Sequence, residues 1–165
     1  KTISTTEYSL FAPMMPSKVN KDREKIYNIG HALGFKFITY ISSKATVLTK
    51  NIGDNCFILE NNTIQPFAKI GNNTIIWSGN HVGHHSTIGN SVFISSHCVI
   101  SGNCTIKDYS YLGVNSTIVD NCTFEESCML TMGSNLTSKR TKTGCVYTGN
   151  PAREHSRLKS HHLLK

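Results

Sequence analysis

The sequence lacks any apolar run near the roughly 18 residues that a membrane-spanning helix needs, which excludes a helical span. It also lacks an initiating Met and any signal-peptide pattern. The expectation is a cytoplasmic chain whose front has been cut from something longer. Aromatic residues are few at 8%, no long basic block occurs, and no nucleic-acid module signature is visible, so nucleic acid is not the expected partner. Acidic residues are outnumbered, 10 Asp and Glu against 17 Lys and Arg, which leaves a formal charge of +7. A chain of this charge handles anions. With nucleic acid and acidic lipid set aside, a phosphate-bearing small molecule or cofactor fits best.

The 165 residues include six cysteines, enough to suggest a disulfide framework. Their spacing argues otherwise, because Cys56, Cys98, Cys104, Cys122 and Cys128 differ from one another by multiples of six. They occupy one structural position over and over, and read as small buried residues in a reducing compartment.

A period of six runs through most of the chain. Stepping from Ile52 gives Ile58, Ile64, Ile70, Ile76, Val82, Ile88, Ile94, Ile100, Ile106, Leu112, Ile118, Phe124, Leu130 and Leu136, with no polar member. Two residues before most of these stands a small side chain, among them Ala68, Thr74, Ser86, Ser110 and the cysteines. Glycine follows the apolar residue at Gly53, Gly71, Gly83, Gly89 and Gly113. Six fits neither a helix nor a plain strand. The physical solution is a triangular coil in which each six-residue side contributes a short strand with the large apolar residue inside. Three sides make a turn, so residues about 18 apart stack at the inter-strand spacing of ~4.8 Å. Counted from Ile52, the repeats predict about five turns, over residues 45–138.

Ahead of the repeat, residues 1–44 read as a partial β-α-β piece. Tyr8 to Met15 reads as a strand, Asn20 to Leu33 as an amphipathic helix ended by Gly34, and Lys36 to Ile41 as a second strand. The glycine-rich first turn of a complete nucleotide-binding half is missing, which agrees with a cut front. Residues 139–165 form a loop and basic tail, in which His155, His161 and His162 read as solvated. Asn-x-Ser/Thr triplets recur, as at Asn61, Asn72 and Asn103; the repeat accounts for them without glycosylation.

The stretch Asn80 to Gly89, with His81, His84 and His85, is the densest group of ionisable side chains in the repeat. His84 and His85 follow inward Val82 by two and three positions, so both project outward, available to a ligand. Imidazole suits proton transfer near neutrality, since its ordinary pKa of about 6.5 lets it accept a proton and release it again.

His84 to Gly89 carries a His-x-x-x-Ile-Gly pattern. On that motif and on the span from Lys36 to Arg153, the sequence resembles the bacterial nucleotide-sugar N-acetyltransferases related to sialic acid O-acetyltransferases. The resemblance implies a left-handed β-helix, a working homotrimer, acetyl-CoA as co-substrate, and a nucleotide-linked 4-amino-4,6-dideoxy sugar as acceptor for surface glycans. No metal is implied. His84 takes the place of the general base. His85 stands where the family has a carboxylate that orients this base, and Asp108 and Asp120 are candidate substitutes. Gly102, one turn beyond His84, takes the place of the backbone amide that holds the thioester carbonyl; the alternative is a glycine needed only for the corner. Phe93 replaces the family's second histidine, and His97 is nearby.

The same resemblance assigns Val114 and Met132 to the pantetheine groove. Lys139, Arg140 and Arg153, with Lys142 beside them, fall where the phosphates of CoA arrive. Asn20, Arg23 and Asn80 fall beside the nucleotide sugar, Arg23 being the candidate partner of a diphosphate. Each of these side chains also has a plain reading, as a solvated charge or a repeat position. Two further readings compete: O-acetylation of a sugar hydroxyl, and a catalytically silent binding or assembly platform. A γ-type carbonic anhydrase shares the prism, but His81, His84, His85 and His97 do not supply its ligand spacing.

Overall fold

The computed structural model describes residues 3–163. Every inward residue of the six-residue period from Ile58 to Leu136 is buried, and together with the small positions they form one continuous core. The small positions also explain why they are Ser, Thr or Cys. Most lie beneath the next turn and donate from Oγ or Sγ to a carbonyl about fifteen residues on, as in Thr74 to Gly89 O (2.9 Å), Ser86 to Ser101 O (3.0 Å) and Cys98 to Gly113 O (3.1 Å). Burial pushes the Cys56 thiol up to about 11 and the Cys122 thiol to about 12, so these cysteines stay protonated and inert. All six are free and buried.

The coil is a left-handed prism with three parallel faces. The aromatic face carries Phe57, Ile75, Phe93, Tyr111 and Met129 in register. The second face carries Thr63, His81, Val99, Thr117 and Asn135. The threonine face carries Lys69, Thr87, Thr105 and Thr123. Backbone turning at the corners follows one rule: from Ile52 to Leu130, the third residue after each inward residue has positive φ. Asn fills that place at 55, 61, 73, 103, 115 and 121, because a short polar side chain tolerates the left-handed region.

The prism makes about six turns rather than five. The extra turn begins at Tyr40–Ile41, which pairs with Phe57–Ile58, and continues through Thr46–Val47, paired with Thr63–Ile64. This turn is one residue shorter than the others. Inward Val47 precedes Ile52 by five, so stepping by six loses phase there. Lys36–Phe37 instead pairs in parallel with Ser9–Leu10, all that forms of the expected Tyr8–Met15 strand. After the prism, Cys145–Gly149 continues the aromatic face, and Ala152–Lys159 folds back on it as an antiparallel hairpin.

The helix α1 (Lys21–Ala32) lies along the corner where the threonine face meets the aromatic face. Two of its residues correct the sequence-based assignment. Arg23 is fully buried; its guanidinium donates to the carbonyls of Asn73 and Val92 (3.1 Å for the latter). Asn20, also fully buried, donates from Nδ2 to Ser110 O at 3.2 Å. These bonds fasten the helix to the prism, while Arg23 Nε and Nη1 and Asn20 Oδ1 are buried without a hydrogen-bond partner among the described residues. Desolvation lowers the Arg23 pKa to about 10, which leaves it charged at neutral pH. Tyr109 to Glu24, Tyr27 to Asp54, and His31 to Asp54 at 3.1 Å complete the attachment.

Candidate active site

His84 and His85 project from the corner between the second face and the threonine face, and both are exposed. The backbone holds this corner from above and below. Gln65 Oε1 accepts from His84 N–H at 3.0 Å, Pro66 O accepts from His85 N–H at 3.2 Å, and Asn103 N–H donates to His84 O at 2.9 Å. His85 takes the left-handed corner position, φ 59°. That conformation brings its Nδ1 to 3.1 Å from Nδ1 of His84. Its ring also lies against Phe67, centroids 4.7 Å apart and planes 30° apart.

The imidazole of His84 lies across Gly102, one turn on. A Cβ at Gly102 would stand 2.7 Å from His84 Nε2. Gly102 does not have positive φ, so the corner's geometry does not demand glycine there. Among the residues two positions after an inward residue, from Asp54 to Ser138, Gly102 is the one glycine. The atoms that a Cβ there would meet first are those of the His84 ring. Gly102 O accepts from Asn121 N–H at 3.0 Å, while its own N–H makes no hydrogen bond among the described residues. An imidazole nitrogen and an unengaged amide therefore meet at one point of the surface.

From Ser101, beside that point, a groove of about 280 Å³ runs down the second face past Thr117, Val119, Asn135 and Thr137 to Asn150 in the C-terminal hairpin. The outward positions of one face, 18 apart, could have disclosed Thr117 and Asn135 in the sequence. A further cavity, of about 320 Å³, lies elsewhere, between Lys18, Val19 and Lys21 near α1 and Ser127, Gly144 and Ser160.

The remaining assignments are distributed differently. Asn80 is buried: its Nδ2 donates to Trp77 O and its Oδ1 accepts from Cys98 N–H at 2.6 Å, continuing an internal ladder in which Asn62 Oδ1 accepts from Asn80 N–H at 2.9 Å. It has nothing left for a substrate. Val114 and Met132 are exposed, but stand on the corner between the aromatic and second faces. His97 is on that corner too, and Phe93 stacks on Tyr111 on the aromatic face (5.5 Å, 6°). Within one chain none of these four shares a corner with His84.

The cations at the C-terminal end are mostly engaged. Lys139 donates to Asp120 O at 2.6 Å and pairs with its carboxylate at 3.4 Å; Arg140 pairs with Glu125 at 2.6 Å; Lys142 pairs with Glu154 at 2.9 Å. Arg153, at the hairpin, makes no ion pair among the described residues. Neither candidate substitute acid serves His84, since Asp108 accepts from Asn90 N–H at 2.7 Å on the helix corner and Asp120 is held by Lys139. No group of three or more metal-ligating side chains occurs among the described residues, nor is any helix there long and apolar enough to cross a membrane.

Residues 49–84 and 85–120 match the family described as bacterial transferase hexapeptide (six repeats). Those residues carry the hexapeptide repeat, and the chain has the left-handed β-helix fold. No match was found among curated protein sequences. Among solved structures, the acetyltransferase domain of PglB from Neisseria gonorrhoeae is similar over 93% of this chain and 74% of its own, with TM-score 0.86 and 22% identity. PerB from Caulobacter crescentus, solved in complex with CoA and GDP-perosamine, is similar over 84% of this chain and 67% of its own, with TM-score 0.79 and 19% identity. WeeI from Acinetobacter baumannii gives TM-score 0.72 at 22% identity, over 84% of this chain and 68% of its own. At such identities the likeness is one of fold.

Proposed function

We propose that this chain transfers the acetyl group of acetyl-CoA to the amino group of a nucleotide-linked 4-amino-4,6-dideoxy sugar destined for surface glycans. The observation that carries the proposal is the His84 imidazole lying across the free amide of Gly102 at the head of a groove. An amine attacking a thioester must lose a proton, and the carbonyl oxygen must take up negative charge. Nε2 of His84 accepts that proton, and Gly102 N–H hydrogen-bonds the oxygen as it becomes an oxyanion. Collapse of the intermediate breaks the carbon–sulfur bond, and the imidazolium returns its proton to the departing CoA sulfur.

The pantetheine arm runs from Gly102 along the groove toward Asn150, and Arg153 at its end meets the phosphates. Lys139 and Arg140 add positive potential there, although their near partners are carboxylates. The open site and the narrow prism favour a homotrimer, in which Val114 and Met132 reach acetyl-CoA from a neighbouring copy. The solved neighbours support the reading: one PglB domain structure holds acetyl coenzyme A, and PerB holds CoA with GDP-perosamine. Free buried thiols fit a reducing, cytoplasmic setting.

The test is thiol release from acetyl-CoA with UDP-, dTDP- and GDP-linked 4-amino and 3-amino dideoxy sugars, with mass analysis of the product. Amide formation on one of them is expected. An alkali-labile ester would make the acceptor a hydroxyl, and binding of acetyl-CoA without turnover on any sugar would make the chain a platform.

A further inference from the structure

Phe67, His85, His84 and Gly102 form one column across three successive turns of a single corner. Phe67 is the odd member. It is 66% exposed with φ 63°, a bulky ring in a conformation such residues avoid. Its one aromatic partner is His85. His85 in turn presents Nδ1 to Nδ1 of His84 at 3.1 Å.

Two imidazole nitrogens at that distance share one proton, one donating and the other accepting. The direction decides the chemistry. With the proton on Nδ1 of His84, its Nε2 is bare and can take a proton from an amine. With the proton on Nδ1 of His85, His84 accepts there, carries its own proton on Nε2, and cannot act as a base.

We propose that Phe67 and His85 are positioning residues that do, with a neutral ring, what a carboxylate would do: His85 Nδ1 accepts the Nδ1 proton of His84, and the stack on Phe67 fixes the accepting ring. This inference rests on the acetyl-transfer reading. Proton flow balances within the pair. The amine proton arrives at Nε2 of His84 while Nδ1–H stays bonded to His85; the Nε2 proton then leaves on the CoA sulfur, and the pair returns to its starting state.

Correlation of ring nitrogens and carbon-bound protons in protein labelled with ¹⁵N-histidine reads the tautomers without any substrate. At neutral pH the proton is expected on Nδ1 of His84 and on Nε2 of His85. The reverse assignment overturns the proposal whether or not acetyl transfer is observed, so the two failures are distinguishable.

Kinetics add an independent reading. His85→Gln keeps an accepting oxygen and should hold kcat within about 10-fold, whereas His85→Arg, a donor only, should lose about 100-fold or more with KM for acetyl-CoA unchanged. Phe67→Ala should lower kcat roughly 10-fold, with recovery in Phe67→Trp. A His85→Arg enzyme as active as the parent would overturn the proposal.

Discussion

Two histidines of this prism lie across a glycine one turn away, and we propose chemistry for only one of them. His97 covers Gly79, whose missing Cβ would meet the ring at 2.6 Å, much as His84 covers Gly102 at 2.7 Å. Gly79 has φ +76°, however, and stands at the left-handed corner position, so the backbone alone explains it. Its N–H donates to Glu60 O at 3.1 Å, and Glu60 itself accepts from Ser78 Oγ at 2.6 Å. Gly102 lies outside the positive-φ region, leaves its N–H unengaged, and sits under a ring with a second imidazole beside it. A ring over a glycine is thus a packing motif of the coil. What distinguishes the His84 corner is the second imidazole beside the ring; among the described residues, unbonded backbone amides occur at the His97 corner too, at Ser78 and Ser96.

Substitutions at the two corners sharpen this contrast. Gly102→Ala should lower kcat about 100-fold, because the new Cβ displaces the His84 ring while the backbone tolerates it; circular dichroism should show the fold unchanged. Loss of the coil in that variant would make Gly102 a corner glycine after all. Ile100→Ala, in the core behind the same corner, should cost about 2–5 kcal/mol of stability in denaturant unfolding, through the cavity it leaves. Gly79→Ala should cost about 1 kcal/mol, from a left-handed backbone, without a comparable change in kcat.

Smaller effects test the periphery. Arg23→Met should leave the acceptor KM unchanged and the melting temperature equal or higher, since a buried charge without a carboxylate partner gains little from its position; a raised acceptor KM would return Arg23 to the substrate. At the hairpin, Lys142, with Cys145 and Lys159, holds the Glu154 carboxyl at about 2. A carboxyl depressed in the folded state supports that state above its unfolded value near 4.3, and the support is lost as pH falls toward 2. Amide exchange in residues 145–159 should therefore accelerate across that window ahead of the prism.

Much of the coil was legible because its core is periodic: one large apolar residue every six, with a small donor two before it. The turn at Tyr40 escaped because the chain is one residue short between Val47 and Ile52, and a strict period cannot see a deletion. The left-handed corner rule was present as a run of asparagines and went unread. At the site, outward projection located His84 and His85, since a coil of known period fixes which residues point out. Asn20, Arg23 and Asn80 were expected beside a substrate and are buried instead, each bonding backbone groups of another turn, and a sequence does not show which carbonyls arrive. The uniqueness of Gly102 in its column was readable, but its meaning needed the ring above it.

The most direct test of the account is kcat for acetyl transfer by His84→Ala beside His97→Ala, measured with the best acceptor. A loss of at least about 100-fold in the first and parental turnover in the second is the predicted result. Equal rates in the two variants would remove His84 from the mechanism and, with it, the proposed active site.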